Sequence, residues 1–434
     1  MQTIVIVGGG AGGLELATRL GDQIDRSSGA KIILIDRAPT HFWKPLLHEV
    51  ASGKIDPKTH QVEYSAQAAE HHFQFICGEV VNVDRNSRVV ELARRHDENG
   101  IEISPLRQVH YDKLVLAFGA VTNFFGIAGA AEHSFSLDTV FQAEHFQKRL
   151  INTCVQASDR KAGGTDPDAA VNIVIVGAGA TGVELAAELR HTARALAKYR
   201  IHDLDPIRDI RIKLVERSDR LLPHLDARLS RTAEKYLGKL GIEACTSTSI
   251  AKVEIDRVED DTGRVHPSDL TVWAAGIEGP KVSAILGLPL NRLGQIMVSG
   301  TLQTVGDANI FALGDCASFL CPAKGTPIPP RAQAAHQQAL FLAKVLSEAA
   351  ENPLPHFQYR DYGSLVSLGP SAAIGMLIGG AWGSGLFVDG ALARILYRLM
   401  YRKHVLALHG FVAMAWQTVG HWVRGKVAPP VKLH

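Results

Sequence analysis

Two stretches of the chain stay apolar for four positions, break into glycine, and then turn to an Ala/Leu/Glu mixture. They are TIVIVGGGAGGLELATRL, residues 3–20, and NIVIVGAGATGVELAAEL, residues 172–189. An unbroken β-branched run, with no polar alternation, predicts a strand buried on both faces of a parallel sheet. The mixture that follows predicts a helix packed back on that strand. Each unit then reaches a second apolar strand ending in an acid, KIILID at 31–36 and IRIKLVE at 210–216. Three more buried strands end in small residues: LVLAFG at 114–119, DLTVWAAG at 269–276 and NIFALGD at 309–315.

The pattern changes after residue 356. Residues 357–387 alternate and are rich in glycine, which predicts a few strands and turns. Residues 386–403 read as a helix, with Val388, Leu392, Ile395, Leu396, Leu399 and Met400 on one stripe and Arg394, Arg398, Arg402 and Lys403 flanking it. Such a basic amphipathic helix suits an anionic membrane surface, and the alternative is a helix packed on the protein body. Residues 405–423 lack Asp, Glu, Lys and Arg. His409, Gly410, Gln417, Gly420 and His421 make this stretch a poor hydrocarbon span, while Trp416 and Trp422 suit a membrane interface. The region is expected to lie on a membrane rather than to cross it.

The chain has 434 residues, enough for two or three domains. A net charge of +2 does not point to nucleic acid. Five scattered cysteines do not form a disulfide framework and fit a reducing compartment. The first strand begins at residue 3, so no secretory signal is expected.

Both glycine loops fit G-x-G-x-x-G, with Gly8, Gly10 and Gly13 in the first and Gly177, Gly179 and Gly182 in the second. The first glycine permits a tight turn, the second lets the backbone approach a pyrophosphate, and the third lets helix and strand pack closely. The helix N-terminus then faces the phosphates. Asp36 and Glu216 stand where a ribose presents its hydroxyl pair. A carboxylate there repels a 2′-phosphate and favours NADH over NADPH, although Arg217 could accommodate that phosphate. Two dinucleotide sites in one chain point to hydride transfer from a nicotinamide to a flavin.

The order of these motifs resembles the two-dinucleotide-binding-domain flavoprotein reductases. The segment FWKPLLHEV at 42–50 and the A-Q-x-A-x-Q pattern around Gln333 and Gln337 are similar to the type II NADH dehydrogenases of bacterial respiration. The resemblance implies an α/β fold of two Rossmann-like domains, the NAD domain inserted in the FAD domain, with a C-terminal membrane-anchoring region. The expected boundaries are 1–165 and 285–355 for FAD, 166–284 for NADH and 356–434 for the anchor. KAGGTDPD at 161–168 and Gly279-Pro280 mark the crossings.

The resemblance assigns FAD to Gly8, Gly10, Gly13, Asp36, Lys44, Val80, Gly119 and Asp315. It assigns NADH to Gly177, Gly179, Gly182, Glu184, Glu216 and Gly276, and quinone to Gln333, Ala334 and Gln337. Lys44 would stabilise a reduced, anionic flavin, or is a surface lysine. Asp315 would bind the flavin's ribityl or pyrophosphate region, or caps a helix. Glu184 would relay protons if burial raises its pKa, or is a first-turn acid favouring the helix dipole, a reading that Glu15 at the matching place supports. Pro329 and Pro330 are read as starting the helix that carries Gln333 and Gln337 on one face.

No C-x-x-C occurs, so electrons are expected to leave the flavin directly for an external acceptor. The expected activity is non-electrogenic NADH:quinone oxidoreduction, with Glu184, Lys44, Gln333 and Gln337 as the catalytic residues. The expected protein is a homodimer held peripherally on the cytoplasmic face of a bacterial inner membrane. Two other readings remain at this point: a sulfide:quinone reductase, which needs cysteines beside the flavin, and a flavoprotein used mainly for binding or signalling. Cys316, Cys321 and His336 offer a soft-metal set such as Cu(I) would take, or are ordinary residues, and their spacing is not a zinc pattern.

Overall fold

A computed structural model describes residues 2–24, 30–198, 204–322, 325–347, 353–370, 372–379 and 385–427, except the side chains of Ala413, Gln417 and 421–427. Part of the polar stretch 197–209, which lengthens the crossover from the second glycine-loop helix to the strand at 210–216, and the Trp422 side chain lie outside that description. The chain divides into two compact units. One comprises Met1–Trp43, His60–Val121 and Ile277–Arg360, and the other Lys44–Thr59, Thr122–Gly276 and Asp361–His434. The helices that frame the functional residues are α1 (Ala11–Gln23), α2 (Leu47–Ala51), α3 (Val140–Ala162), α4 (Ala180–Lys198), α5 (Ala227–Lys239), α6 (Ala332–Ser347) and α7 (Gly390–Val427).

The first unit is built on a parallel sheet. Strand Thr3–Val7 lies between Lys31–Asp36 and Lys113–Leu116, with Gln74–Cys77 outside the former and Asp307–Ala312 outside the latter. Ile4, Val5, Ile6, Leu34 and Leu114 are fully buried, which explains why these strands read as continuous apolar runs. Each such side chain contributes roughly 1.5–3 kcal/mol by leaving water. α1 and α6 pack together on this sheet's unit. Gly12 eases that approach, because a Cβ there would stand 3.2 Å from both Cβ and O of Ala335 on α6.

The second unit repeats the plan with four parallel strands, ordered Ile242–Cys245, Ile210–Val215, Val171–Val176, Leu270–Trp273. α3 clusters with this unit, although its sequence position lies inside the 1–165 segment expected for the first nucleotide domain. Its start is fixed locally by a reciprocal cap between Thr139 and Gln142.

The C-terminal part opens with a three-stranded antiparallel sheet, Gly363–Ser367, Ala373–Leu377 and Leu386–Asp389, as the alternation predicts. The helix begins later than the sequence suggests. Leu386–Asp389 pairs as the third strand, and Gly390, with φ +61°, starts α7. Val388 is therefore a buried strand residue, not part of the helical stripe. α7 contains a break at Gly410, where φ is +73° and ψ is −179°. Its inward face packs Ala393 and Tyr397 on the small sheet. Leu392, Ile395 and Leu399 point outward at 56%, 55% and 45% exposure. Arg394 was expected to flank the stripe on the basic, membrane-facing side and is instead buried. Among the described residues no helix is long and apolar enough to cross a membrane.

Candidate active site

The two glycine loops match at the level of backbone geometry. Gly8 and Gly177 have φ +104° and +100°, and each donates its N–H across the sheet, to Ile35 O and Val215 O, at 2.8 Å. A Cβ on Gly13 would lie 1.9 Å from Gly8 O, and one on Gly182 would lie 1.9 Å from Gly177 O. Space remains at the middle glycines, with nothing within 4 Å of a Cβ on Gly179 and only Ala117 O, at 3.9 Å, near one on Gly10. The first turns of α1 and α4 carry no acid, so no carboxylate there competes with an anionic ligand for their free N–H groups.

The strand-end acids match too. Asp36 accepts from Gly9 N at 2.6 Å and Ala38 N at 2.8 Å, and Glu216 accepts from Ala178 N at 2.8 Å and Ser218 N at 2.9 Å. A carboxylate accepts about four hydrogen bonds, so each keeps capacity for ribose hydroxyls. Burial raises the pKa of Asp36, against the opposing pull of those N–H donors. Sequence reasoning missed what holds the first loop from outside. The Tyr64 hydroxyl donates to Gly9 O at 2.7 Å, and His41 Nδ1 lies 2.9 Å from the same oxygen. Burial keeps the Tyr64 phenol well above its ordinary pKa, so it stays a donor.

The other residues assigned to FAD are placed as follows. Gly119 follows strand Lys113–Leu116 with φ +72° and open space before it. Asp315 does not cap an ordinary helix, because it sits in a single 3₁₀ turn, Gly314–Cys316, that runs into strand Ala317–Cys321. Val80 is half-buried at the start of a strand. Lys44 is exposed in a 3₁₀ turn at the start of the second unit. Gln338, not singled out by sequence, accepts from Gly314 N at 2.8 Å. Its Nε2 is buried with no partner, as suits a site meant to hold an acceptor-rich group such as a flavin.

α6 begins at Ala332, two positions beyond Pro330, rather than at the prolines. It carries Gln333, buried Ala334 and Gln337. The Gln337 amide is already engaged, since Nε2 donates to Arg360 O at 2.8 Å and Oε1 accepts from Arg360 N at 2.9 Å. Burial pushes the Cys154 and Cys316 thiols up to about 12, so neither is a ready nucleophile. His336 Nδ1 is paired with Glu15 at 2.6 Å. Among the described residues the one group with metal-ligand spacing is His48, Glu49 and Glu188, and Cys316, Cys321 and His336 are not drawn together in that way. The Lys54 ammonium already bridges that group, 2.8 Å from Glu49 and 2.7 Å from Glu188.

In the second unit Gly276, with φ +73°, lies under the Phe125 ring, whose Cζ would be 2.4 Å from a Cβ there. Glu184 lies in the second turn of α4, beyond the reach of the dipole argument, since the first turn holds no acid. Its carboxyl accepts from Ser367 N at 2.9 Å, lies 3.5 Å from His48 Nδ1 and is hydrogen-bonded by Tyr397. Burial pushes its pKa up to about 8, with Glu49 and Glu188 adding to the rise and the Ser367 and Tyr397 bonds opposing it. Burial also pushes His48 down to about 4. Glu49 is held below the usual range because neighbouring Lys54 overrides the burial cost, whereas burial wins at Glu188 and raises it.

The family model for pyridine nucleotide-disulphide oxidoreductases matches residues 2–339. A type II NADH:quinone oxidoreductase of Haemophilus influenzae is 39% identical, with both chains covered in full. The chain belongs to the type II NADH:quinone oxidoreductases. The Staphylococcus aureus enzyme of this name is 28% identical over 87% of the chain and 90% of its own length. Members of the family are flavin-dependent oxidoreductases that use FAD and NADH, and quinone is the electron acceptor. The fold agrees: the solved NDH2 of Plasmodium falciparum in complex with NADH superposes with a TM-score of 0.82, at 17% identity, over 99% of this chain and 100% of that one. The sulfide:quinone oxidoreductase of Aquifex aeolicus shares the fold at a TM-score of 0.68 and 21% identity, over 99% and 96% of the two chains.

Proposed function

We propose that this type II NADH:quinone oxidoreductase holds FAD on the Gly8–Gly13 loop and NADH on the Gly177–Gly182 loop. The FAD domain takes 1–165 and 285–355, and the NADH domain 166–284. Held there, FAD would supply the redox chemistry that links hydride from NADH to two-electron reduction of quinone. The chain's own work is to bind, orient and protonate. Asp36 and Glu216 take the two riboses, Gly119, Val80 and Asp315 bound the flavin, and Gly276, under the Phe125 ring, borders the NADH site. Lys44 supplies a cation to the reduced flavin.

Glu184 supplies a proton to the quinone. Its support is the pKa of about 8, which leaves a buried carboxyl carrying its proton at neutral pH, as a general acid needs. Gln333 and Ala334 present an amide and a small side chain to the quinone ring. Gln337 serves by tying the Arg360 backbone to α6 rather than by meeting the quinone itself. Stopped-flow kinetics of Glu184→Gln test this. Flavin bleaching by NADH stays within a few-fold of wild type, while reoxidation by quinone slows by about 10²-fold. Equal slowing of both half-reactions would reject the role.

The outward residues of α7 support attachment to a bilayer surface, and we place the enzyme as a homodimer on the cytoplasmic face of the inner membrane. Flotation with anionic vesicles and sedimentation of the detergent-solubilised enzyme check these two statements.

A further inference from the structure

The inward face of α7 reaches the neighbourhood of Glu184 from far along the chain. Arg394 is 7% exposed, and its Nη1 donates to Ser367 Oγ at 2.9 Å. The N–H of the same Ser367 donates to Glu184 at 2.9 Å. Arg394 Nη2 stands 3.9 Å from Glu49, and the guanidinium lies 5.6 Å from the centre of the Tyr397 ring. One helical turn along from Arg394, Tyr397 is 5% exposed and hydrogen-bonds the Glu184 carboxyl itself. His48 Nε2 and Arg394 Nε are buried without partners, so the cluster is not a closed structural network.

We propose that α7 is a positioning element for the acid: Tyr397 orients the Glu184 carboxyl directly, and Arg394 does so one bond further out, through Ser367. The ionisable groups around Glu184 are His48 and Glu49 from α2, Lys54 from the loop after it, Glu188 from α4 itself, and Arg394 and Tyr397 from α7. Strand Gly363–Ser367 contributes the uncharged Ser367. Tyr397 O–H donates best to the ionised carboxyl, so it favours loss of the proton. Arg394 favours the same loss as a nearby cation. Residues on the helix that turns Leu392 and Ile395 outward thus decide how readily Glu184 gives its proton away.

The inference deepens the reading of Glu184 as the proton donor, but its test does not need turnover. In the FAD-loaded enzyme, infrared difference spectra over a pH titration follow the protonated-carboxyl band that Glu184→Gln removes. With Tyr397→Phe the midpoint of that band rises by roughly one pH unit, the size expected for one hydrogen bond to a charged group. Arg394→Gln raises it less, Arg394→Lys brings it part of the way back, and Ser367→Ala moves it in the same direction as Arg394→Gln. A purely structural role would lower the melting temperature and leave the midpoint alone. An unchanged midpoint in folded Tyr397→Phe and Ser367→Ala proteins overturns the inference. If the midpoint moves while the pH profile of quinone reduction stays put, the positioning stands and the proton-donor reading fails.

Discussion

Glu15, two residues past Gly13, and Glu184, two past Gly182, lie at matching points of α1 and α4 and are both buried. Glu15 meets Arg19 Nε at 2.9 Å and His336 Nδ1 at 2.6 Å. Glu184 meets a backbone N–H, a phenol and a histidine that burial keeps neutral. One carboxyl therefore sits against a guanidinium, and the other has burial pushing its pKa to about 8. The motif fixes the backbone of both copies equally. The partners around each carboxyl, not the motif, make the two surroundings differ.

The comparison breaks most completely at the third glycines. A methyl group on Gly13 or Gly182 would meet a carbonyl oxygen at 1.9 Å, closer than any side chain tolerates. The local cost is on the order of 3 kcal/mol, because the backbone has to move. Gly13→Ala is expected to purify without the yellow of flavin. Gly182→Ala is expected to stay yellow but not to bleach with NADH. Absorbance spectra before and after NADH read both outcomes. A swap of the two phenotypes would exchange the proposed cofactor assignments.

Glu184→Gln separates activity from stability. Wild-type Glu184 has its folded pKa raised from 4.5 to about 8. Below the unfolded pKa both states carry the proton and no penalty exists. As pH rises past it, the unfolded chain ionises first, and the native state loses stability until the folded pKa is reached. The accumulated loss is several kcal/mol. Glu184→Gln does not titrate, so it should melt well above wild type at about pH 9 and together with it near pH 4. Calorimetry across that window measures the difference. Equal melting at both ends would mean that Glu184 is ionised in the native protein.

The same comparison shows what a sequence can carry. Strand–loop–helix–strand–acid units are local, since steric needs of a turn and a buried strand write themselves into adjacent positions. Both units, and the antiparallel strands after residue 356, were legible for that reason. The start of α7 was not, because Leu386–Asp389 becomes a strand only through pairing with Ala373–Leu377. The partners of Glu184 were also hidden. Ser367 lies 183 positions from it, and nothing in GSLVS marks a backbone N–H as the donor to a buried acid. Tyr64 and His41 on the Gly9 carbonyl are invisible on the same grounds.

In the first copy Glu15→Gln sharpens the contrast. It removes a charge that pairs with Arg19 and His336, at a cost of about 1–3 kcal/mol. The expected result is a lower melting temperature, with the pH profile of quinone reduction unmoved. A moved profile would mean that the two copies share the proton-handling role.

The smallest effect is expected on the far side of α7, where the contrast becomes one between the two faces of a single helix. Ile395 is next to Arg394 in sequence, yet it is 55% exposed where Arg394 is 7% exposed. A helix advances about 100° per residue, so neighbours in sequence look toward different surroundings. Ile395→Ser removes apolar area from the outward stripe and nothing from the acid cluster. A largely buried aliphatic side chain is worth roughly 1.5–3 kcal/mol, and partial insertion into a lipid surface gives less. Affinity for anionic vesicles should fall by about tenfold, while the Glu184 carboxyl band keeps its wild-type midpoint. Tyr397→Phe should do the reverse, moving the midpoint and sparing the vesicles. If Ile395→Ser moves the midpoint as well, the two faces are not independent, and the seating of the helix on lipid itself sets the proton on Glu184.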